Sequence, residues 1–195
     1  TAMALAILDE LALGRCDIES IGDNFLAWYA SSPPDVGIQT SSVLSSAQNG
    51  AELITAGHEY YVSNPDKSGN GGLMRTGPVA LSGLGDREVV AENATAIAAL
   101  THAHHDSTAA CVLWSLAIEE AIMTASDETE FDWERAVRNG LKYLDEDTAS
   151  RWDTIIDAAV QGPSGLFNPN GFALGASLNR SRADVGVSPF SSVIW

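Results

Sequence analysis

Apolar residues recur at helical spacing along most of this chain. Met3, Ile7, Leu8 and Leu11 form a first face, and Gly14 reads as its stop. Ile18, Ile21, Phe25, Leu26 and Trp28 form a second, ended by Pro33 and Pro34. The pattern then predicts a short helix from Thr40 to Ala47, closed by Asn49 and Gly50, and a loop from Gly57 to Gly72. A further helix is expected from Leu73 to about Leu81. Asp86 suits the N-cap of the next, which would bury Val90, Ala94, Ile97 and Ala98. A polar break follows from Thr101 to Asp106, with Asp106 or Ser107 as cap of a strongly apolar helix from Ser107 to Ala125. Trp133, Ala136, Val137 and Leu141 predict another helix, and Trp152, Ile155, Ile156 and Ala159 one more. The period fails after Gly162. Residues 177–195 hold Ser, Arg, Asn, Gly and Pro with no apolar face, which predicts a poorly ordered tail. No alternating strands flank Asn49-Gly50 and no repeat is present, so the expected class is all-α, in one compact multi-helix domain.

Composition adds little to that class but narrows the partners. The chain has 195 residues, 45% of them hydrophobic, enough for one domain with a core. No apolar run approaches a membrane span and no segment reads as a signal peptide, so a cytoplasmic protein without membrane contact is expected. Acidic residues outnumber basic ones 26 to 10, giving a net charge of −16. Such a surface argues against nucleic acid, which requires a basic footprint. It also repels free anions, so a phosphate ligand would need backbone amides, a helix N-terminus or bound cations. Cys16 and Cys111 share no metal or redox spacing, and Cys111 reads as a buried thiol.

Four segments could carry chemistry. Gly69-Asn70-Gly71-Gly72-Leu73-Met74-Arg75 can bring backbone close to a ligand, and a helix opening at Leu73 would aim free amides at an anion. A tight turn without ligand is the commoner meaning of such a stretch, and the segment is neither a P-loop nor a GxGxxG fingerprint. Thr101-His102-Ala103-His104-His105-Asp106 could hold a metal or a substrate hydroxyl, or simply open a helix. Asp35, in Pro33-Pro34-Asp35-Val36-Gly37, is a carboxylate on a rigid turn. Asp145-Glu146-Asp147-Thr148 has the composition of a hard-cation site, yet consecutive helical residues diverge, so a solvated acidic face or a helix N-terminus is the better reading. Glu119 and Glu120 are expected on a solvated helix face.

Three of these segments, in this order, resemble the ADP-ribosylglycohydrolase family. Gly69 to Arg75 with Pro78 is similar to its glycine-asparagine-glycine loop followed by methionine-arginine. Thr101-His102, Asp106 and Ala109-Ala110-Cys111 are similar to its threonine-histidine loop and alanine-rich helix. Phe25 to Tyr29, Pro34 to Gly37 and Thr40 resemble its earlier segment. The resemblance covers residues 1–175 as a partial domain and leaves 176–195 as a divergent tail. It implies a compact all-α fold that hydrolyses the glycosidic bond between ADP-ribose and a protein side chain or small conjugate. Two Mg2+ or Mn2+ ions would assist, and the partner would be ADP-ribose or an ADP-ribosylated protein. Gly69, Asn70, Gly71, Gly72 and His102 would bind substrate, Asp35 is the candidate cleft carboxylate, and Arg75 suits a loop anchor as well as a substrate contact.

Two departures accompany the resemblance. The family's first metal motif is threonine-aspartate-aspartate-threonine ahead of an alanine-methionine-alanine helix, and Thr1 matches only its last residue. Its late glycine-aspartate-x-aspartate-threonine motif has no counterpart here; Asn170-Gly171-Phe172 resembles the segment before it. The family's metal carboxylates are thus absent, which implies a domain truncated at both ends whose own turnover is in question. The alternatives are a non-catalytic ADP-ribose-binding module and a crystallin-like structural protein.

Overall fold

The structure, a computed structural model, describes residues 2–125 and 131–161. The tail expected over 176–195 and the Asn170-Gly171-Phe172 segment lie outside the described residues, as does Thr1. Among the described residues every regular element is helical and the fold is all-α. The α-helices are α1 (Ala2–Ala12), α2 (Ile18–Ala30), α3 (Ile38–Leu44), α4 (Gly50–Ser63), α5 (Arg87–Ala99), α6 (His105–Thr124), α7 (Trp133–Gly140) and α8 (Glu146–Gln161). Short 3-10 turns occupy Leu73–Arg75, Gly77–Gly83 and Leu141–Tyr143.

Side-chain caps set most helix starts. Asp17, Asn49, Asp86 and Asp132 each accept from the backbone amide three residues on, satisfying one orphan donor of the first turn. Asp145 does the same at Thr148 N, 2.9 Å away, so the 145–148 cluster is a helix start, as its spacing suggested. Gly14, at φ +73°, follows α1 in the left-handed conformation that a stop requires.

α6 is the structural axis. It packs along α5, and α7, α8 and both 3-10 turns around residue 76 also touch it. A helix surrounded on most sides must be apolar on most sides. Ala109, Ala110, Cys111, Val112, Leu113, Leu116 and Ala117 are accordingly all buried. Its small residues let neighbouring backbones come close, and Leu113 stands over Gly140 of α7. A second cluster joins α1, α2, α4 and α5 through Ile7, Ile21, Phe25, Leu53 and Ile97, each fully buried.

Three elements differ from expectation. Asn49-Gly50 does not close a helix but starts one, and α4 runs through Gly57 to Ser63. The loop is therefore shorter and opens at Asn64. Leu73 to Leu81 forms two 3-10 turns, with i→i+3 bonds from Thr76 N to Leu73 O and from Val79 N to Thr76 O. Pro78 bears on the interruption, since it has no amide hydrogen to donate to Met74 O, as an α-helix through this stretch would require. Glu119 is not solvated. It is 2% exposed, accepts from Gly85 N at 3.1 Å, and pairs with Arg87 at 3.1 Å. Arg87 also reaches Glu120. Removing Glu119 would strand the Gly85 amide and weaken the neutralisation of a largely buried guanidinium. Glu119→Ala is expected to lower stability by about 2 kcal/mol, read from the urea midpoint. An unchanged midpoint would show that the pair contributes nothing net.

Candidate functional site

The glycine loop is held by three neighbours that are distant in sequence. α6 supplies Ser107, whose hydroxyl donates to Gly69 O at 2.8 Å and lies 3.4 Å from the Ser68 hydroxyl. α3 supplies Gln39 and Thr40 from its first turn. Gln39 Nε2 donates to Thr101 O at 2.8 Å, tying α3 to the segment between α5 and α6. That segment supplies His102, whose amide donates to Ala98 O at 2.8 Å, so its backbone continues the end of α5.

His102 lies directly beneath the loop. Its imidazole Nε2 and Cε1 sit 3.0 Å from the point where a Gly71 Cβ would be, and its Cδ2 sits 3.0 Å from the corresponding point at Gly69. Gly72 completes the contact over the His102 Cβ. No residue larger than glycine fits at Gly69 or Gly71 without moving the ring, so these glycines serve close approach. The imidazole is only 2% exposed. Burial, then the nearby Arg75 guanidinium, pushes its pKa down to about 3, and the ring is neutral at physiological pH. Its Nδ1 lies 2.7 Å from the Thr101 hydroxyl, itself fully buried.

Arg75 anchors this arrangement from below. It is 2% exposed and donates from Nη2 to Ile97 O at 2.9 Å, a carbonyl in the last turn of α5. Its guanidinium lies 4.6 Å from the centre of the Phe25 ring. A helix C-terminus and an aromatic face are both favourable settings for a cation. Burial still lowers its pKa to about 10, which leaves it charged at neutral pH. Of the two roles open to Arg75 in the sequence, the structure gives it the anchoring one. Cys111 is buried as expected, with its thiol pushed up to about 11 by burial and its sulfur 3.6 Å from the Cβ position of Gly72.

The structure thus brings Gly69, Gly71, Gly72 and His102 together, with Asn70 between them on the same loop. Asp35 is exposed on the turn between α2 and α3. Gln39 and Ser107, which hold the loop, carried no signal of that role in the sequence. Gln39 looked like any polar residue of a short helix, and Ser107 looked like a cap.

The actual cap of α6 is His104, whose Nδ1 accepts from Asp106 N at 3.1 Å. Asp106 and Ser107 are displaced from that role because each has another partner: Arg151 holds Asp106 at 2.8 Å. Burial, then the neighbouring His105, lowers the His104 pKa. The His104 and His105 rings are 4.1 Å apart, and Tyr61 meets both edge-on. Among the described residues, His104, His105 and Asp106 form the group whose ligand atoms, within 4.8 Å of one another, could meet a metal ion. Two imidazoles and one carboxylate suit a borderline transition metal, whereas magnesium and manganese prefer all-oxygen sets. Arg151 and the positive end of α6 oppose a cation there as well. This cluster does not fit a pair of hard divalent ions.

No helix among the described residues is long and apolar enough to cross a membrane. The sequence model of the ADP-ribosylglycohydrolase family matches residues 1–184. No curated protein and no solved structure matches the chain.

Proposed function

We propose, from the premise that this chain belongs to the ADP-ribosylglycohydrolase family, that its glycine loop and His102 form the binding surface for ADP-ribose. The reaction class is hydrolysis of the glycosidic bond between ADP-ribose and a protein side chain or a small conjugate. The observation that carries the reading is the fit of Gly69 and Gly71 over the buried, neutral His102. Loop backbone without side chains can lie against a diphosphate or ribose, and a neutral imidazole adds a polar contact without a charge to desolvate. Backbone recognition also answers the charge problem, because a chain of net charge −16 has little long-range attraction for an anion. Asp35 remains the candidate carboxylate. Divalent magnesium or manganese belongs to this reading through the family, but the one candidate cluster among the described residues does not suit it.

Calorimetric titration with ADP-ribose, with and without magnesium, tests the proposal. One molecule bound per chain is expected, and Gly71→Val, which drives a side chain into the His102 ring, is expected to weaken it at least about tenfold. Absence of binding by the folded chain in both conditions would overturn the reading. A metal requirement would show up as heat only when magnesium is present.

A further inference from the structure

We infer that Thr101 is a positioning residue that fixes His102 in the tautomer carrying its proton on Nε2, so that the ring presents a hydrogen-bond donor toward the glycine loop. The inference rests on the proposed role of the loop for its functional meaning, but not for its geometry. The Thr101 hydroxyl is fully buried, and a buried hydroxyl proton must find an acceptor. His102 Nδ1, 2.7 Å away, is the acceptor the structure supplies. A neutral imidazole carries one proton, so accepting at Nδ1 leaves it on Nε2.

Gln39 and Thr40 flank the same two glycines as the ring. Gln39 donates through Nε2 to Thr101 O, and this orients its amide with Oε1 facing the other way. Gln39 Oε1 lies 2.6 Å, and His102 Nε2 3.1 Å, from the same point, the Cβ position of Gly69. The Thr40 hydroxyl lies 3.3 Å, and His102 Nε2 3.0 Å, from the Cβ position of Gly71. Gln39 Oε1, the Thr40 hydroxyl and His102 Nε2 thus all border the space that side chains at Gly69 and Gly71 would fill. Thr101 thus acts on the ring through its hydroxyl, while its carbonyl holds the Gln39 amide of α3. The resulting role for His102 is a neutral donor toward the glycine loop, not a proton shuttle. The very low pKa agrees, since the ring neither takes nor releases a proton near neutrality.

Long-range proton–nitrogen correlation spectra of the histidine-labelled chain at neutral pH test this directly. The chain has four histidines, and His102 is assigned by the signal lost in His102→Leu. The expected result is an unprotonated Nδ1 and a protonated Nε2 in the ligand-free chain. Thr101→Val removes the hydroxyl at nearly constant volume and is expected to give a mixture of tautomers, while Thr101→Ser restores the single form. The proton on Nδ1, a charged ring, or an unchanged single tautomer in Thr101→Val would overturn the inference. Because these spectra need no ligand, their outcome is separate from the proposed function. A chain with the expected tautomer that takes up no ADP-ribose would leave Thr101 in this role and remove the loop's assignment.

Discussion

Replacing Gly57 by alanine is expected to destabilise the protein by about 2 kcal/mol, although the residue sits in the middle of a helix. In an exposed helix interior the same change stabilises by about 1 kcal/mol, because glycine loses more backbone entropy than alanine. The sign reverses here because Gly57 faces the end of α5. A Cβ at this position would overlap the carbonyl oxygen of Ala99 and lie 2.9 Å from that of Leu100. Both obstacles are backbone, so neither can swing away. α4 would have to withdraw from α5, and the retreat would loosen the Thr101–His102 segment that begins two residues further on. The effect should appear as a lower urea midpoint together with weaker ADP-ribose binding. A midpoint raised by alanine would mean that the two helices are not in contact at Gly57.

The same residue shows where the sequence was hard to read. Glycine at 57 has the local signature of a turn, and Asn49-Gly50 has the signature of a helix end. Both are instead parts of α4: Asn49 caps it, Gly50 stands against the backbone of Glu19 in α2, and Gly57 stands against α5. Close packing between helices leaves no trace in a single chain beyond the glycine itself, so turn and contact glycines look alike. The long faces were legible because their burial obeys the helical period. Ile7, Ile21, Phe25, Val90, Ile97, Leu113, Val137, Trp152 and Ile156 are all core residues of the helices in which the pattern puts them. α6 was legible for a different reason, since only a central helix can be apolar on so many sides.

The candidate site was legible in part. The glycine loop and His102 could be singled out by residue type, and the structure puts them in contact. What the sequence could not supply is the frame. Gln39 reaches Thr101 across 62 positions and Ser107 reaches Gly69 across 38, and such links depend on the packing of α3 and α6 against the loop. Glu119 fails for the same reason. A glutamate one helical position from Glu120 looks solvated until the fold turns it toward Arg87 and the Gly85 amide. Histidine caps are equally opaque, because His104 serves α6 through a ring nitrogen whose direction only the folded chain defines.

Acid should destabilise this protein well before its carboxylates begin to titrate, and His102 should be the main cause. In the unfolded chain its imidazole takes up a proton around pH 6.5, whereas in the folded chain burial beneath the glycine loop holds the pKa near 3. Between these values the unfolded state binds more protons than the folded state. Stability is therefore fully present above about pH 6.5 and is lost as the pH falls toward 3, by up to about 1.4 kcal/mol per pH unit from this group. The lowered pKa of His104 acts in the same direction. Asp17 and Asp145, whose carboxylates are held below their ordinary range chiefly by backbone amides of Ser20 and Thr148, contribute their own loss only at lower pH. The interval from about pH 6.5 to 5.3, above most carboxylate titration, thus isolates the histidines. Urea denaturation at several pH values across it should show the unfolding free energy falling steeply in the native chain. His102→Leu fills much of the same space without a titrating group, so whatever its stability at pH 7, the slope should flatten by about 1 kcal/mol per pH unit. An equally steep slope in His102→Leu would mean that the ring is not the buried neutral base that the loop packing and the Thr101 hydrogen bond require.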